Sequence, residues 1–509
     1  MPGTARIDRL VSALTRVIAI ACRSRPRRLI AITGIAIVTY AAGAAEGLER
    51  LPAVLHVHSD LSTGDLSLEQ LTAMADKQGI GALLLTENYL LRVEYGLPPF
   101  RALTRAVREE RSVLDLGIDR YLTRVAEAGR ANPRVLIVPG VEALPHYYWT
   151  GSPLALDMAV HATQKNLLIF GLPAAALRAL PVTGNKVGGL GWSSVLDALP
   201  AVLVLPGVYL LSRERRGLQR VGRVVVVVSR RRWLVGSTLC AIAAVALVRA
   251  WPFGVDLYPP YRDLGLVPHQ DLIDYVDRLG GVTVWSFPEA RDAGERWMGP
   301  IKVSWYTPPH PDDLMRTARY TAFGAVYEDT TRIDRPGESW DRLLGQFATG
   351  DRSRPAWAVG ESGFHGFSAG KTLGKVRTVF LVEERTERGV LDALKRGRFY
   401  AVEQEGGAEL TLAEFSARAG GVAAISGDLL RAAEASPVDI TVSVEVAGAV
   451  AREVRVTLVK NGAVVRAWTA APPFRTVHRE PFDGSPTFYR LDVRGPGRLL
   501  SNPIFVRRS

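Results

Sequence analysis

The sequence predicts an α/β fold: a β/α barrel, interrupted by an apolar insertion and followed by a C-terminal antiparallel β-sandwich. Three observations predict it. Short apolar runs at 81–86, 134–140, 167–171 and 282–285 alternate with helical stripes, and polar residues follow the runs, as at the ends of buried parallel strands. Between 187 and 252, two charge-poor runs flank an arginine-rich stretch. From Pro437 onward the hydrophobic period drops to two, and Asn461-Gly462 supplies a hairpin turn whose two positions tolerate positive φ.

The chain of 509 residues has room for two or three domains. Its net charge of +12 is concentrated in two places. Residues 1–28 hold seven arginines against Asp8, and 213–232 hold eight against Glu214, so the remainder is nearly neutral. Both basic stretches border apolar runs, which is the positive-inside pattern of membrane proteins and argues against a nucleic-acid partner. The two cysteines, Cys22 and Cys240, sit in or beside apolar segments and imply no disulfide framework.

In order along the chain, 1–28 reads as a basic cytoplasmic N-terminus and 29–48 as a transmembrane anchor. Ala-Ala-Gly-Ala-Ala at 41–45 also fits a signal-peptidase site, and either reading leaves the chain from Glu46 on outside the cytoplasm. A first barrel part covers 50–186. It opens with a strand through Leu55-His56-Val57-His58, then a helix over 67–78 that Ser67 can cap. A strand over 81–86, a long polar helix within 100–131, a strand over 134–140 and an aromatic loop over 144–166 follow. Residues 187–252 read as a transmembrane hairpin with a cytoplasmic loop at 213–232. The barrel resumes over 253–405, with a helix at 268–279 and a strand at 282–285. Short strands near 325–327 and 356–359 flank a helix over 340–347, and another helix covers 387–395. Residues 406–509 form the sandwich.

His56 and His58, two apart on a strand, point to one face, and with a nearby carboxylate they form a metal half-site. Together with Ser59-Asp60, Gly64-Asp65, Thr86-Glu87-Asn88, Pro139-Gly140-Val141-Glu142 and Gly363-Phe364-His365-Gly366, they make the chain resemble the PHP (polymerase and histidinol phosphatase) family of metal-dependent hydrolases. The resemblance covers about 50–175 and 268–508. Gly397-Arg398-Phe399-Tyr400-Ala401 and Ser501-Asn502-Pro503-Ile504 are similar to its carbaryl-hydrolase-type branch. It implies a distorted seven-stranded β/α barrel holding up to three ions of zinc, manganese or iron.

The departures from that pattern shape the functional expectation. The family's Thr-Asp-His appears as Thr86-Glu87-Asn88, two further ligand histidines appear as Asn166 and Phe287, and the closing Asp-x-His appears as Gly363-Phe364-His365. The resemblance then leaves one divalent ion on His56, His58 and Glu142, with His365 and Asp65 as catalytic candidates and Glu361 as a weaker one. His161 could substitute near Asn166 only if its loop shifts, and His146 with Tyr147, Tyr148 and Trp149 could line a cleft. His269, His310 and His478 carry no motif and read as surface residues. The expected function is a membrane-anchored, extracytoplasmic hydrolase of ester or phosphoester small molecules. The alternative is an inactive relative that binds an envelope ligand or partner. The bilayer is the one macromolecular partner expected, and no protein partner can be named.

Overall fold

The computed structural model describes residues 47–97, 101–189, 191–250, 254–329, 331–448 and 453–509. The basic segment 1–28 and nearly all of the anchor expected at 29–48 lie outside them.

The first strand, Glu49–Val57, is buried from Ala53 onward. It pairs in parallel with Ala82–Leu85, which pairs in parallel with Leu136–Val138. Both of these short apolar strands continue after a break, as Glu87–Asn88 and Gly140–Ala143, in a second sheet. That sheet runs in the order Trp357–Gly360, Ala322–Val326, Val282–Trp285, Leu167–Phe170, Gly140–Ala143, Glu87–Asn88. Beyond its last strand, Ser362 N donates to Leu55 O and Phe364 N to His56 O, both at 2.9 Å. The end of the last strand is thereby held against the first.

One strand differs from the all-parallel expectation. Leu167–Phe170 is antiparallel to both neighbours. No crossover helix separates it from Gly140–Ala143. The intervening chain forms the short strands Tyr148–Thr150 and Met158–His161, so it returns from the end where it left, and a return without a crossover must be antiparallel. The consequence is functional: Asn166, at the start of its strand, lies level with residues that end the others.

The helices follow their local chemistry. Leu68–Lys77 is capped by Ser67 in a reciprocal box with Gln70. Val267–Arg278 buries Leu272, Ile273 and Val276, as its stripe predicts. The single helix expected within 100–131 is instead broken. Arg101–Thr104, the strand Ala106–Glu110, Val113–Leu116 and Ile118–Ala131 succeed one another. Ser112 caps a fresh start, and Gly117 at φ 94° ends that turn. A four-stranded sheet that the sequence did not announce joins Tyr148–Thr150 and Met158–His161 to Asp292–Met298 and Ile301–Thr307.

In the insertion, Trp192–Ala198, Leu199–Leu203 and Val204–Ser212 form an almost continuous helical run. The arginine-rich stretch is a β-hairpin, Glu214–Val221 with Val224–Arg231, rather than an open loop. Trp233–Ala250 follows and is, among the described residues, the one helix long and apolar enough to cross a membrane, with mean hydropathy 1.8. The two helical arms touch at Gly207 and Gly236, where an added Cβ would come within about 3 Å of the facing backbone.

The C-terminal strands fall into two sheets sharing one apolar core. Val438, Ile440, Val442 and Val444 alternate inward from a four-stranded sheet, and Val454, Val456, Leu458, Leu491 and Val493 meet them. Asn461 (φ 48°) and Gly462 (φ 83°) make the expected two-residue turn between Val454–Lys460 and Ala463–Ala470. The second sheet is continuous with the first strand of the chain. Glu49–Val57 pairs antiparallel with Val376–Val382, which leads through Phe399–Gln404 to Gly497–Ser501 in one eleven-stranded sheet. Hydrogen bonding therefore crosses the boundary expected between residues 405 and 406.

Candidate metal centre

The site lies where strand ends meet. The first strand does not simply alternate through its two histidines: the register slips between Leu55 and Val57, and His56 adopts φ 71°. Such a conformation is costly for a residue with a Cβ and persists only where its surroundings hold it. Here the surroundings are polar. His56 Nδ1 lies 2.6 Å from Glu361 Oε1, and that carboxylate also accepts from Ser286 Oγ (2.6 Å) and Phe287 N (3.0 Å).

The opposite edge of His56 faces the cluster. His56 Nε2 is 3.0 Å from His58 Nε2 and 3.5 Å from Glu142 Oε1, and His58 Nε2 is 3.4 Å from Glu142 Oε2. A ring nitrogen of His365 lies within 4.8 Å of theirs. The His365 ring stacks on His58 with centroids 4.0 Å apart. Glu142 ends the Gly140–Ala143 strand and is steadied by Asn166, whose Nδ2 donates to Oε1 at 2.7 Å. His58 Nδ1 faces the Asn88 amide at 3.3 Å, and Asn88 also touches Thr63 Oγ1 at 2.7 Å. Thr63 in turn meets His365 Nδ1 at 3.0 Å.

Electrostatics separate the members. Burial opposes a charge on His56, but Glu142 and Glu361 outweigh it and push the imidazole up to about 9. Burial likewise favours a neutral Glu142, yet His56, His58 and Asn166 hold it at about 2. Burial dominates at His58, which is driven well below 6.5, and it also lowers His365. Glu87, pushed up to about 7 by burial, is used to fix the turn after the histidines. It accepts from Ser59 N (2.8 Å), Ser59 Oγ (2.6 Å) and Ser62 Oγ. Gly64 completes that turn, because a Cβ there would sit 2.3 Å from His58 O.

Of the residues singled out from sequence, His56, His58, Glu142 and His365 come together. Asp65 stands apart: its carboxylate is exposed and accepts from Ser368 N at 2.9 Å. His161 pairs with Thr150 and stacks on Tyr148. His146 is buried between Thr183 and the Arg262 carbonyl. Two histidines expected at the surface are not there. His269 and His310 are buried against Trp285. Each gives one ring nitrogen to a backbone carbonyl, and the other nitrogen has no hydrogen-bond partner among the described residues. Glu361 enters the site more directly than its sequence position suggested. Lys371 was missed, since a lone lysine in a glycine-rich loop carries no sequence signal.

The chemistry of the donor set suits a divalent ion. Ligand bonds of about 2.0–2.1 Å in a tetrahedral site place donors about 3.3 Å apart. His56 Nε2 and His58 Nε2 stand 3.0 Å apart, and each faces a different oxygen of Glu142, at 3.5 and 3.4 Å. Glu361 on His56 Nδ1 is the carboxylate–histidine arrangement that orients metal-binding imidazoles. Asn166 Oδ1 is buried beside Glu142 with no hydrogen-bond partner among the described residues, an acceptor left for a bound ion or its water.

No protein-family model matches the chain. Over 127 residues it is 35% identical to a precorrin-4 C(11)-methyltransferase of a Sinorhizobium species, a match covering 25% of this chain. The chain spans 42% of the length of that curated relative. Among solved structures it is similar to a two-domain protein from Bacteroides vulgatus containing a predicted PHP-like metal-dependent phosphoesterase. That match has 11% identity, 88% of this chain, 92% of the other and a TM-score of 0.32. A proposed metal-dependent phosphoesterase from Bifidobacterium adolescentis superposes at 13% identity, over 64% of this chain and 91% of the other, with a TM-score of 0.27. An amidohydrolase from Chromobacterium violaceum, bound to sulfate without metal, gives 13%, 62% and 87%, and 0.26. All three superpositions are loose.

Proposed function

We propose that this protein is a membrane-anchored, PHP-like metallohydrolase with a reduced, one-metal site. In this reading it is a distorted seven-stranded β/α barrel carrying a C-terminal β-sandwich and a membrane hairpin. The observation that carries the reading is the convergence of His56 Nε2, His58 Nε2 and the Glu142 carboxylate at 3.0–3.5 Å. These three residues would hold the ion, and Glu361 would orient His56. When bound, a divalent ion lowers the pKa of its water to about 7 and so supplies hydroxide for attack on an ester or phosphoester. His365, stacked on His58 and held through Nδ1 by Thr63, is placed to hold or pass a proton at its other nitrogen. Phe287 stacks on His56, centroids 5.1 Å apart, and excludes water from that side.

The test is elemental analysis of the detergent-purified chain after reconstitution with zinc, manganese or iron, beside a His56→Ala/His58→Ala control. About one ion per chain, absent from the control, supports the reading. A screen of phosphoester and carboxylester substrates then follows. Absence of stoichiometric metal overturns the hydrolase and favours a binding module.

The membrane part of the reading is supported by the insertion. Trp233–Ala250 is about 27 Å long at 1.5 Å per residue, close to a hydrocarbon core. Leu205, Val208, Trp233, Leu234 and Val248 are all more than half exposed. Close contact at Gly207 and Gly236 is how membrane helices pack. The arginines of the β-hairpin would stay cytoplasmic and the catalytic part would lie outside. Retention of the full chain in carbonate-washed membranes tests this; release into the wash overturns it.

A further inference from the structure

Beside the histidine cluster sits a cation with no carboxylate partner. Lys371 is half-buried, and its Nζ donates to Ser362 O at 2.8 Å. Among the described residues no acidic group forms an ion pair with it, in a chain where most half-buried lysines and arginines have one. Its ammonium lies 5.2 Å from the centre of the Phe287 ring, the ring that stacks on His56. Its charge also reaches His58 and His365.

The space it occupies is made for it. Gly363 adopts φ 58°, and a Cβ there would stand 3.1 Å from Lys371 Nζ and 2.7 Å from the Phe287 ring. Any side chain at 363 would press on both. The loop thus brings a primary ammonium, with two N–H donors left over after Ser362, to the edge of the proposed metal site. Glu142 and Glu361 are both engaged by histidines and do not neutralise it.

We infer that Lys371 is the anion-binding residue of this site, the group that holds a phosphoryl or similar tetrahedral oxyanion against the metal position. This rests on the one-metal reading above and deepens it. A site with one ion cannot clamp a phosphoryl group from two sides. An ammonium supported by Phe287 and Ser362 supplies the second positive charge, and a lysine suits that as a compact point charge. The site would then select anionic esters over neutral ones.

The experiment measures inorganic phosphate binding to the full-length, detergent-purified chain, metal-loaded and metal-free, with metal content determined for each sample. Lys371→Met is expected to weaken phosphate binding about 10- to 100-fold, the worth of a charge-assisted contact, while retaining the wild-type metal content. Lys371→Arg, which keeps the charge, is expected to recover most of the binding. Phosphate binding by Lys371→Met equal to wild type overturns the inference, even if metal is bound normally. Wild-type protein that takes up no metal overturns the one-metal reading instead. The metal-free phosphate measurement then decides on Lys371 separately.

Discussion

Two buried histidine pairs meet different partners, and one histidine, His56, is shifted opposite to the other three. His56 and His58 meet two carboxylates, Glu142 and Glu361. His269 and His310 meet Trp285, two backbone carbonyls and the Lys165–Asp313 pair. Burial acts on both pairs in the same direction. Carboxylates reverse it at His56, pushed up to about 9, while His269 falls to about 3 and His310 to about 4. Depth alone turns a histidine into neutral packing; depth with facing carboxylates makes a site that stores charge or holds a cation.

The largest effect expected from this contrast is on replacing Glu142. Glu142→Gln removes the charge that both His56 and His58 face, and leaves a protonated His56 buried with one partner fewer. Breaking a buried pair this way costs about 3–5 kcal/mol, so the metal-free protein should melt markedly lower. Metal uptake should be lost with it. Thermal unfolding with and without zinc measures both. A variant that still gains stability from zinc would show that the ion, if held, sits elsewhere.

Next in size are opposite pH dependences in metal-free protein. His56 has a raised folded pKa, so its stabilisation is complete below 6.5 and is lost as pH rises through about 9. His269 is depressed. The unfolded chain binds a proton below 6.5 that the folded chain refuses until about 3, so stability falls as pH drops through that window. Each contribution is on the order of a few kcal/mol at its limit. His56→Gln should flatten the alkaline side of the stability profile and His269→Phe the acid side, as read by denaturant unfolding from pH 4 to 10. If both variants act on the same side, the contrast between the pairs is wrong.

The sequence made one pair legible and hid the other for physical reasons. His-x-His, a following Gly and a distant Glu at a strand end are local signals, and the structure draws His56, His58 and Glu142 together. Strand positions such as 282–285 were legible because short apolar runs leave few alternatives. His269 and His310 have no local signal, because what buries them is Trp285 and backbone carbonyls remote in sequence. The same holds for Lys371, brought to the site by a loop, and for Glu361, whose contact with His56 depends on the last strand returning to the first. The antiparallel course of Leu167–Phe170 was hidden by its composition, since an apolar tetrapeptide reads the same in either direction. That reversal alone lets Asn166 reach Glu142.

A middle-sized effect separates carboxylates that serve the cluster from carboxylates that stand near it. Glu361→Gln keeps the shape but removes the charge from His56 Nδ1. Losing such an orienting partner typically costs about 10–100-fold in metal affinity, and competitive zinc titration reads it. Stability should fall less than for Glu142→Gln, because the amide oxygen can still accept from Ser286 Oγ and His56 Nδ1, and only Phe287 N loses its acceptor to the amide nitrogen.

Asp65 is the smallest case and the one that sharpens the boundary of the site. Its carboxylate is exposed and ties the Ser368 backbone to the turn after His58, where Asp65 N also donates to His365 O at 2.7 Å. The backbone contact survives in Asp65→Asn, and a surface substitution of this kind usually shifts stability by less than about 0.5 kcal/mol. Zinc affinity should stay within about two-fold of wild type, since no ligand or orienting contact is lost. A tenfold loss would mean that Asp65, through its hold on the 365–368 loop, positions His365 for the ion. The site would then depend on that loop as well as on its strands, and the contrast with the Trp285 pair would grow wider.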